Sequence, residues 1–96
     1  VMIQILGDFN SDAEKDILRN LEILYATAQG EVALDRSFGL DQSFLDMSGP
    51  AAEAMYTQEI VNKTRTYEPR ADVVSVTYRS AAPGELNPEV KIKCLI

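Results

Sequence analysis

The spacing of apolar residues predicts a first helix near the N-terminus, over about residues 12–27. Within it the apolar positions recur at helical spacing, at Ile17, Leu21, Leu24 and Ala28. Ser11 and Glu14 are placed to form a capping box, in which both side chains accept hydrogen bonds from free backbone N–H groups at the helix start. Gly30 is suited to end the helix. Ile23 lies on the opposite, polar face, where it is either an ordinary surface residue or a partner contact.

A second apolar stripe predicts a helix over residues 50–67, formed by Ala52, Tyr56, Ile60 and Tyr67. Pro50 suits the first helical position, and Pro69 ends the helix because a residue that precedes proline is disfavoured in the α region. Between the helices, residues 30–49 are rich in loop-forming residues. Val32 and Leu34 alternate there with other residues, which favours a very short strand.

The C-terminal third changes to a period of two, which predicts strands over 72–79 and 89–96. Their inward positions would be Val74, Val76 and Tyr78, and then Val90, Ile92, Cys94 and Ile96. Pro83-Gly84 supplies a turn between them, and the apolar stretch Met2–Leu6 is compatible with a further strand. We therefore predict an α+β fold, a single domain over 1–96, in which two amphipathic helices pack on a small antiparallel sheet with a C-terminal β-hairpin.

Composition and charge narrow the class of partner. The 96 residues are 46% hydrophobic and 25% charged, as expected for an ordinary folded domain, and no apolar run approaches the ~18 residues of a membrane helix. The net charge of −6 disfavours binding to nucleic acid and to anionic membrane surfaces. The single cysteine, Cys94, excludes an internal disulfide and suits a reducing cytosol. Protein partners remain, without nucleic acid or membrane.

Catalytic chemistry has few candidate residues. The chain contains no histidine, which excludes a Ser-His-Asp triad, a Cys–His dyad and a histidine-based metal site. Asp35, Asp41 and Asp46 are spaced too widely for a calcium-binding EF-hand loop. A pair of carboxylates running glycoside hydrolysis stays open, although carboxylates on amphipathic helices are usually solvated surface groups. We predict no catalytic residue, no bound metal and no cofactor.

The segment Glu68-Pro69-Arg70 lies where the second helix meets the first predicted strand. Pro69 disfavours a helical conformation at Glu68, and in an extended segment the side chains of Glu68 and Arg70 would face the same side. The simpler interpretation is a helix stop with a surface ion pair, worth about 0–1 kcal/mol. The alternative is a docking contact, because the planar guanidinium can bind a carboxylate or backbone carbonyls of a partner.

Three segments carry a resemblance to a known family. Residues 20–31, residues 34–40 (Leu-Asp-Arg-Ser-Phe-Gly-Leu), and a helix that runs into Glu68-Pro69-Arg70 resemble the phage baseplate wedge family of the GPW type. The strand, turn and strand that follow match in order, so the similarity covers about residues 13–96. The usual Gly-Glu-Arg of the family is Gly30-Glu31-Val32 here, so any contact made by that arginine is not carried over.

The resemblance implies a sheath initiator, a structural subunit of the baseplate of a contractile phage tail, tailocin or type VI secretion system. Its partners would be baseplate wedge proteins and the sheath protein, with several copies arranged symmetrically. It would assemble in the bacterial cytoplasm and then belong to the tail particle. Expected partner-binding residues are Glu68, Pro69, Arg70, Asp35, Arg36, Phe38, Gly39, Val90 and Ile92. In this interpretation Lys91 and Lys93 protect the final strand, as an exposed edge, until a sheath strand pairs with it.

Two other interpretations stay open. The same fold family includes a regulatory protein that blocks a protease delivery factor, so the resemblance alone does not fix the partner. A peptidoglycan hydrolase is the third interpretation, because members of the family have been assigned that role. The absence of tryptophan, which often lines a sugar cleft, and the small size of the chain disfavour it.

Overall fold

Two helices and three strands form the protein in the computed structural model, which describes residues 3–31, 33–41, 49–78 and 87–95. In chain order the elements are β1 (Gln4–Leu6), α1 (Asp12–Ala26), α2 (Gly49–Tyr67), β2 (Ala71–Tyr78) and β3 (Pro88–Cys94). Both predicted helices are confirmed to within one residue at each end. The expected Pro83-Gly84 turn lies outside the described residues.

The start of α1 has the expected capping box. The Ser11 hydroxyl accepts a hydrogen bond from the Glu14 N–H at 3.1 Å, and the Ser11 N–H donates to the Glu14 carboxylate at 2.9 Å. These bonds to Ser11 lower the pKa of Glu14 below its ordinary value. The helix ends at Ala26, with Thr27 as its C-cap, rather than continuing to Gly30.

The sheet is mixed, with the strand order β1-β3-β2. The predicted antiparallel pairing of β2 with β3 is confirmed, but β1 runs parallel to β3, with Ile5 opposite Val90. β3 is therefore the central strand, and the expectation that it is an exposed edge protected by Lys91 and Lys93 is wrong. The reason is that the short N-terminal strand pairs with its other side.

A β-bulge changes which side chains of β2 face the helices. The pairing with β3 shifts between Val73 and Ser75, so that Val74 is the extra residue. Val74 is consequently 53% exposed, and Val73 takes the inward position that the alternating pattern had assigned to Val74. Val76 and Tyr78 keep their predicted inward positions and pack against the core.

The core lies between the helices and one face of the sheet. Its members come from every predicted apolar stripe and include Ile17, Leu21, Leu24, Ala52, Tyr56, Ile60, Val90 and Ile92.

Two buried tyrosines differ in the hydrogen bonding of their hydroxyls. The Tyr25 hydroxyl is 2.6 Å from the Thr64 hydroxyl, whereas the Tyr56 hydroxyl has no hydrogen-bond partner among the described residues. Burial raises the pKa of both to about 12.

The segment after α1 is a set of turns that closes back onto the helix end. Leu34 lies in a turn, not in the short strand expected from its alternation with polar residues. Leu40 is fully buried, its N–H donates to the Thr27 carbonyl at 2.9 Å, and its carbonyl accepts from the Gln29 N–H at 2.9 Å. This pairing requires Gly39, because a Cβ there would lie 2.6 Å from the Thr27 carbonyl oxygen.

Gly39 and Gly30 form a matched pair for testing this close approach. Both have a positive φ, of 99° and 96°, but a Cβ at Gly30 would meet nothing within 4 Å. We expect Gly30→Ala to destabilise the protein by about 1–2 kcal/mol, from backbone conformation alone. Gly39→Ala should cost about 1–3 kcal/mol more, because the Thr27–Ala28 backbone must also shift. Urea unfolding of both variants measures the difference, and equal losses would contradict the close approach.

Candidate partner-binding site

The Glu68-Pro69-Arg70 corner is a tight turn that leads from α2 directly into β2. The Glu68 N–H makes a last helical hydrogen bond to the Thr64 carbonyl at 2.8 Å, and the Ala71 N–H donates back to the Glu68 carbonyl at 3.0 Å. Pro69 thus occupies the second position of a four-residue turn, where its fixed φ is favoured. The side chains of Glu68 and Arg70 do meet, as predicted, but through this turn rather than through a fully extended segment.

Glu68 is the buried centre of a hydrogen-bonded cluster, not a surface group. It is only 3% exposed, and Arg70 holds its carboxylate with a two-pronged contact, at 2.8 Å from Nε and 3.0 Å from Nη2. The Asn20 side-chain amide donates to the same carboxylate at 2.9 Å, and Arg70 Nη2 also reaches Asp16 at 3.1 Å. The corner is therefore fastened to α1. A surface ion pair does not describe it.

The electrostatics follow from this arrangement. The hydrogen bonds from Arg70 lower the pKa of Glu68 below its ordinary value, although burial alone would raise it, and the bond from Asn20 lowers it further. The pKa of Arg70 is raised by its bonds to Glu68 and Asp16. Both groups are charged at neutral pH, so the buried carboxylate is paired, as burial of a charge requires.

One side of the Arg70 guanidinium remains available to a partner. The contacts with Glu68 and Asp16 engage Nε and Nη2, and no hydrogen bond joins Nη1 to any described residue. The Arg70 side chain is 39% exposed. A guanidinium has five N–H donors in a fixed plane, and the two on Nη1 have no described partner while the others hold the fold.

The loop residues expected to bind partners divide into internal and exposed groups. Asp35 accepts hydrogen bonds from the Tyr67 hydroxyl and the Ser37 N–H, both at 3.1 Å. Phe38 packs edge-on against Tyr67, with ring centroids 5.1 Å apart. Together with Gly39, these residues fix the loop to α1 and α2. Of the four loop residues Asp35, Arg36, Phe38 and Gly39, Arg36 alone is exposed.

A small groove connects the loop with the corner. It has a volume of about 120 Å³ and is lined by Asn20, Ile23, Leu24, Phe38, Tyr67 and Glu68. Ile23, the apolar residue on the polar face of α1, is 51% exposed beside it. The sequence interpretation missed Asn20 and Asp16. The signal for them was their position next to the buried stripe of α1, where a polar side chain is near enough to meet the corner.

Val90 and Ile92 contribute core side chains and lie on β3, the central strand. A strand added to this sheet must therefore pair at an outer edge. On the β1 side of β3, Gly7 lies so close that a Cβ would be 2.6 Å from the Ile92 carbonyl oxygen. On the other side of the sheet, no described residue pairs with the outer edge of β2. Because the Arg70 carbonyl accepts from the Leu95 N–H on the β3 side, strand alternation directs the backbone groups of Val73 away from β3. Of the two outer edges of the sheet, that of β2 is the longer, with eight residues against three in β1.

A second groove of about 170 Å³ lies between this edge and α2. Its lining is mixed in polarity, with Arg65 and Asp72 as the charged members: Val61, Thr64, Arg65, Pro69, Ala71, Asp72, Val73 and Leu95. A strand added to β2 would place every second side chain towards the helix layer, and therefore towards this groove.

The described residues include no group of acidic or cysteine side chains suited to hold a metal ion. Cys94 is half-buried, and burial raises the pKa of its thiol, which disfavours the reactive thiolate. Among the described residues, neither helix carries the uninterrupted apolar stretch that a bilayer crossing requires.

The Glu68 cluster predicts a specific dependence of stability on pH. Because the pKa of Glu68 is lowered in the folded state, its contribution is complete above the ordinary value of 4.5 and is lost as the pH falls through the lowered pKa. Glu68→Gln should therefore destabilise the protein by about 1–3 kcal/mol at neutral pH. The difference in the free energy of unfolding between this variant and wild type should narrow on acidification to about pH 3.

Urea unfolding at both pH values measures this difference. Glu22→Gln is the control, because Glu22 is an exposed carboxylate on α1, and it should change stability by less than about 0.5 kcal/mol. A gap between Glu68→Gln and wild type that stayed constant with pH would contradict the ionised, paired state of Glu68.

Comparisons with known proteins agree with this architecture. Residues 11–95 match the family model described as baseplate wedge protein gp25. A solved structure described as a proposed tail lysozyme from Geobacter sulfurreducens is 20% identical, with a TM-score of 0.62, and the match covers 94% of this chain and 97% of that one. That likeness shows a shared fold, and no curated protein matches. Since the family match spans nearly the whole described fold, including α1, the corner and the β2–β3 pair, the chain belongs to the family of the baseplate wedge protein gp25.

Proposed function

We propose that this baseplate-family protein is the subunit that binds the wedge scaffold of a contractile tail and starts assembly of the sheath. The observation that carries the proposal is the corner of Glu68 and Arg70, which fixes the fold on one side and presents unused guanidinium donors on the other. Such an arrangement supports docking to a partner's carboxylate or backbone carbonyls in a defined orientation.

The outer edge of β2 supports strand pairing with the first sheath ring. The sequence predicted that a sheath strand pairs with the final strand, β3. That position is wrong, because β3 is the central strand of the sheet. The β2 edge offers unpaired backbone groups and an adjoining groove at Val73, and it is not protected by a lysine within Ala71–Tyr78. These are the features of an edge that accepts an added strand.

The competing functions have less support. A hydrolase needs convergent acid and base groups in a cleft, whereas Glu68, the most buried carboxylate described, is ionised and fully engaged with Arg70 and Asn20. Cleavage of peptidoglycan by the purified protein, lost in a single carboxylate variant, would favour the hydrolase. An anti-adaptor role would use the same corner on a different partner. It predicts that the protein is absent from purified tail particles.

Arg70→Lys tests docking to the wedge scaffold. Lysine keeps a positive charge beside Glu68 but loses the planar set of donors, so we expect a stability loss of about 1 kcal/mol. Contact with the scaffold should weaken far more, by about 2–5 kcal/mol, because a desolvated partner group is left unpaired. The measurement is the amount of each variant in tail particles purified from a strain that lacks the native gene.

The control for that experiment is matched in stability. Ile17→Val removes one methylene group from a fully buried side chain and should cost about 0.5–1.5 kcal/mol. It should be incorporated normally. Normal incorporation of Arg70→Lys, or equal loss of both variants, would contradict docking through the guanidinium.

Two adjacent valines test the β2 edge. Val73 faces the groove at the open edge, whereas Val74 lies on the bulge and points outward. Val73→Lys places a charge where an added strand must pack, a device by which natural edge strands avoid pairing. We expect baseplates that contain Val73→Lys but carry no sheath in electron micrographs, and normal sheaths with Val74→Lys. Sheathed tails with both variants would contradict strand pairing at this edge.

A further inference from the structure

The loop between the helices presents one leucine entirely to solvent. Leu34 is fully exposed, the most exposed large hydrophobic side chain among the described residues. A single exposed leucine on a surface usually has no significance. Here the loop residues that directly follow it are held in place, and that makes the exposure informative.

Several contacts fix the base of this loop. The Asp35 carboxylate is bonded by the Tyr67 hydroxyl and by the Ser37 N–H, and the Phe38 N–H donates to the Asp35 carbonyl at 3.2 Å. The Lys63 amine donates to the Ser37 carbonyl. A loop fixed in this way presents its tip side chains with little further loss of conformational entropy when a partner binds.

The second presented side chain is charged. Arg36 is exposed, and no hydrogen bond or ion pair joins it to any described residue. Its neighbour Asp35 makes no described ion pair with it, because that carboxylate accepts hydrogen bonds from Tyr67 and Ser37 instead. On a chain with a net charge of −6, a cation without a described partner marks a point that favours an acidic partner.

This tip also adjoins apolar surface. Asp35 is bonded to Tyr67, and Tyr67 lines the groove that Phe38 and the half-exposed Ile23 share. The groove therefore borders the same loop, through Phe38 and Tyr67. Apolar anchors surrounded by charge are typical of protein–protein contacts.

We infer that Leu34 and Arg36 form a two-point anchor for a second protein, one that offers an apolar pocket bordered by carboxylates. The inference rests on the proposed function, since the partner is a neighbouring protein in the tail baseplate. Leu34 fills the pocket, and the Arg36 guanidinium bonds the carboxylates beside it. Asp35, Phe38 and Gly39 act only by holding the loop. The anchor is a separate contact from the one proposed at the Arg70 corner.

Leu34→Glu and Arg36→Glu test the anchor in purified tail particles. We expect both variants to melt like wild type, because neither side chain has a described internal contact, and to be incorporated at least tenfold less. Met55→Glu and Lys15→Glu are the matched controls, since each makes the same change of net charge at another exposed apolar or basic side chain. Both controls should be incorporated normally.

A photo-crosslinking residue in place of Leu34 identifies the pocket. In the assembled particle it should join a different protein, at a peptide containing Asp or Glu among apolar residues. Changing that acid to Arg should restore incorporation of Arg36→Glu. Normal incorporation of both loop variants, the same loss in the controls, a fall in melting temperature, or no crosslink to another protein would overturn the anchor and leave the proposed function standing. Absence of wild-type protein from the particles would overturn both.

Discussion

A buried carboxylate at the end of α2 is the constraint on which the arrangement of the elements depends. Glu68 is brought into the interior by the turn at Pro69 and must there be paired, since an isolated buried charge would be strongly destabilising. Arg70 supplies the pair from β2, and Asn20 completes it from α1. One side chain thereby fixes the direction in which α2 enters the sheet and the position of α1 beside them.

Further contacts hold the C-terminal end of α1, and the loop that follows it, against α2. Tyr25 bonds Thr64 across the two helices, and Tyr67 holds the loop through Asp35 and Phe38. The C-terminal half of α2 thus contacts α1, the loop and β2. Such polar links give specificity to a core whose stability comes mainly from apolar burial. The unpaired hydroxyl of Tyr56 lies outside these links among the described residues and adds nothing to them.

The helices and the β2–β3 pair were predictable from sequence because each depends on a local signal. The capping box of Ser11 and Glu14 and the stripe around Ile17 specify α1 within the helix itself. The bulge was not predictable, because in the pair Val73-Val74 either valine can face the core, and only the register with β3 decides between them. The central position of β3 was also missed, since the three residues Gln4–Leu6 gain their pairing from a strand over 80 positions away.

The candidate site was also predicted only in part, because some of its contacts are local in sequence and others come from distant elements. The encounter of Glu68 with Arg70 is local and was foreseen, whereas Asn20 and Asp16 come from a distant helix and have no sequence signal beyond their position beside the apolar stripe. The loop shows a similar division. Its motif singled out Asp35, Arg36, Phe38 and Gly39 together, but only the folded structure separates the residues that brace the loop from the one that faces outward.

That separation has an electrostatic consequence for assembly. The chain is acidic overall, with a net charge of −6, which favours electrostatic repulsion between copies. Several of its carboxylates are nevertheless turned inward, with Glu68 bound to Arg70 and Asp35 bound to Tyr67. Nη1 of Arg70 and the Arg36 guanidinium have no described hydrogen-bond partner. Because the net charge of each copy is negative, this distribution disfavours disordered self-association, and it agrees with the proposed docking of Arg70 and Arg36 to acidic sites on other proteins.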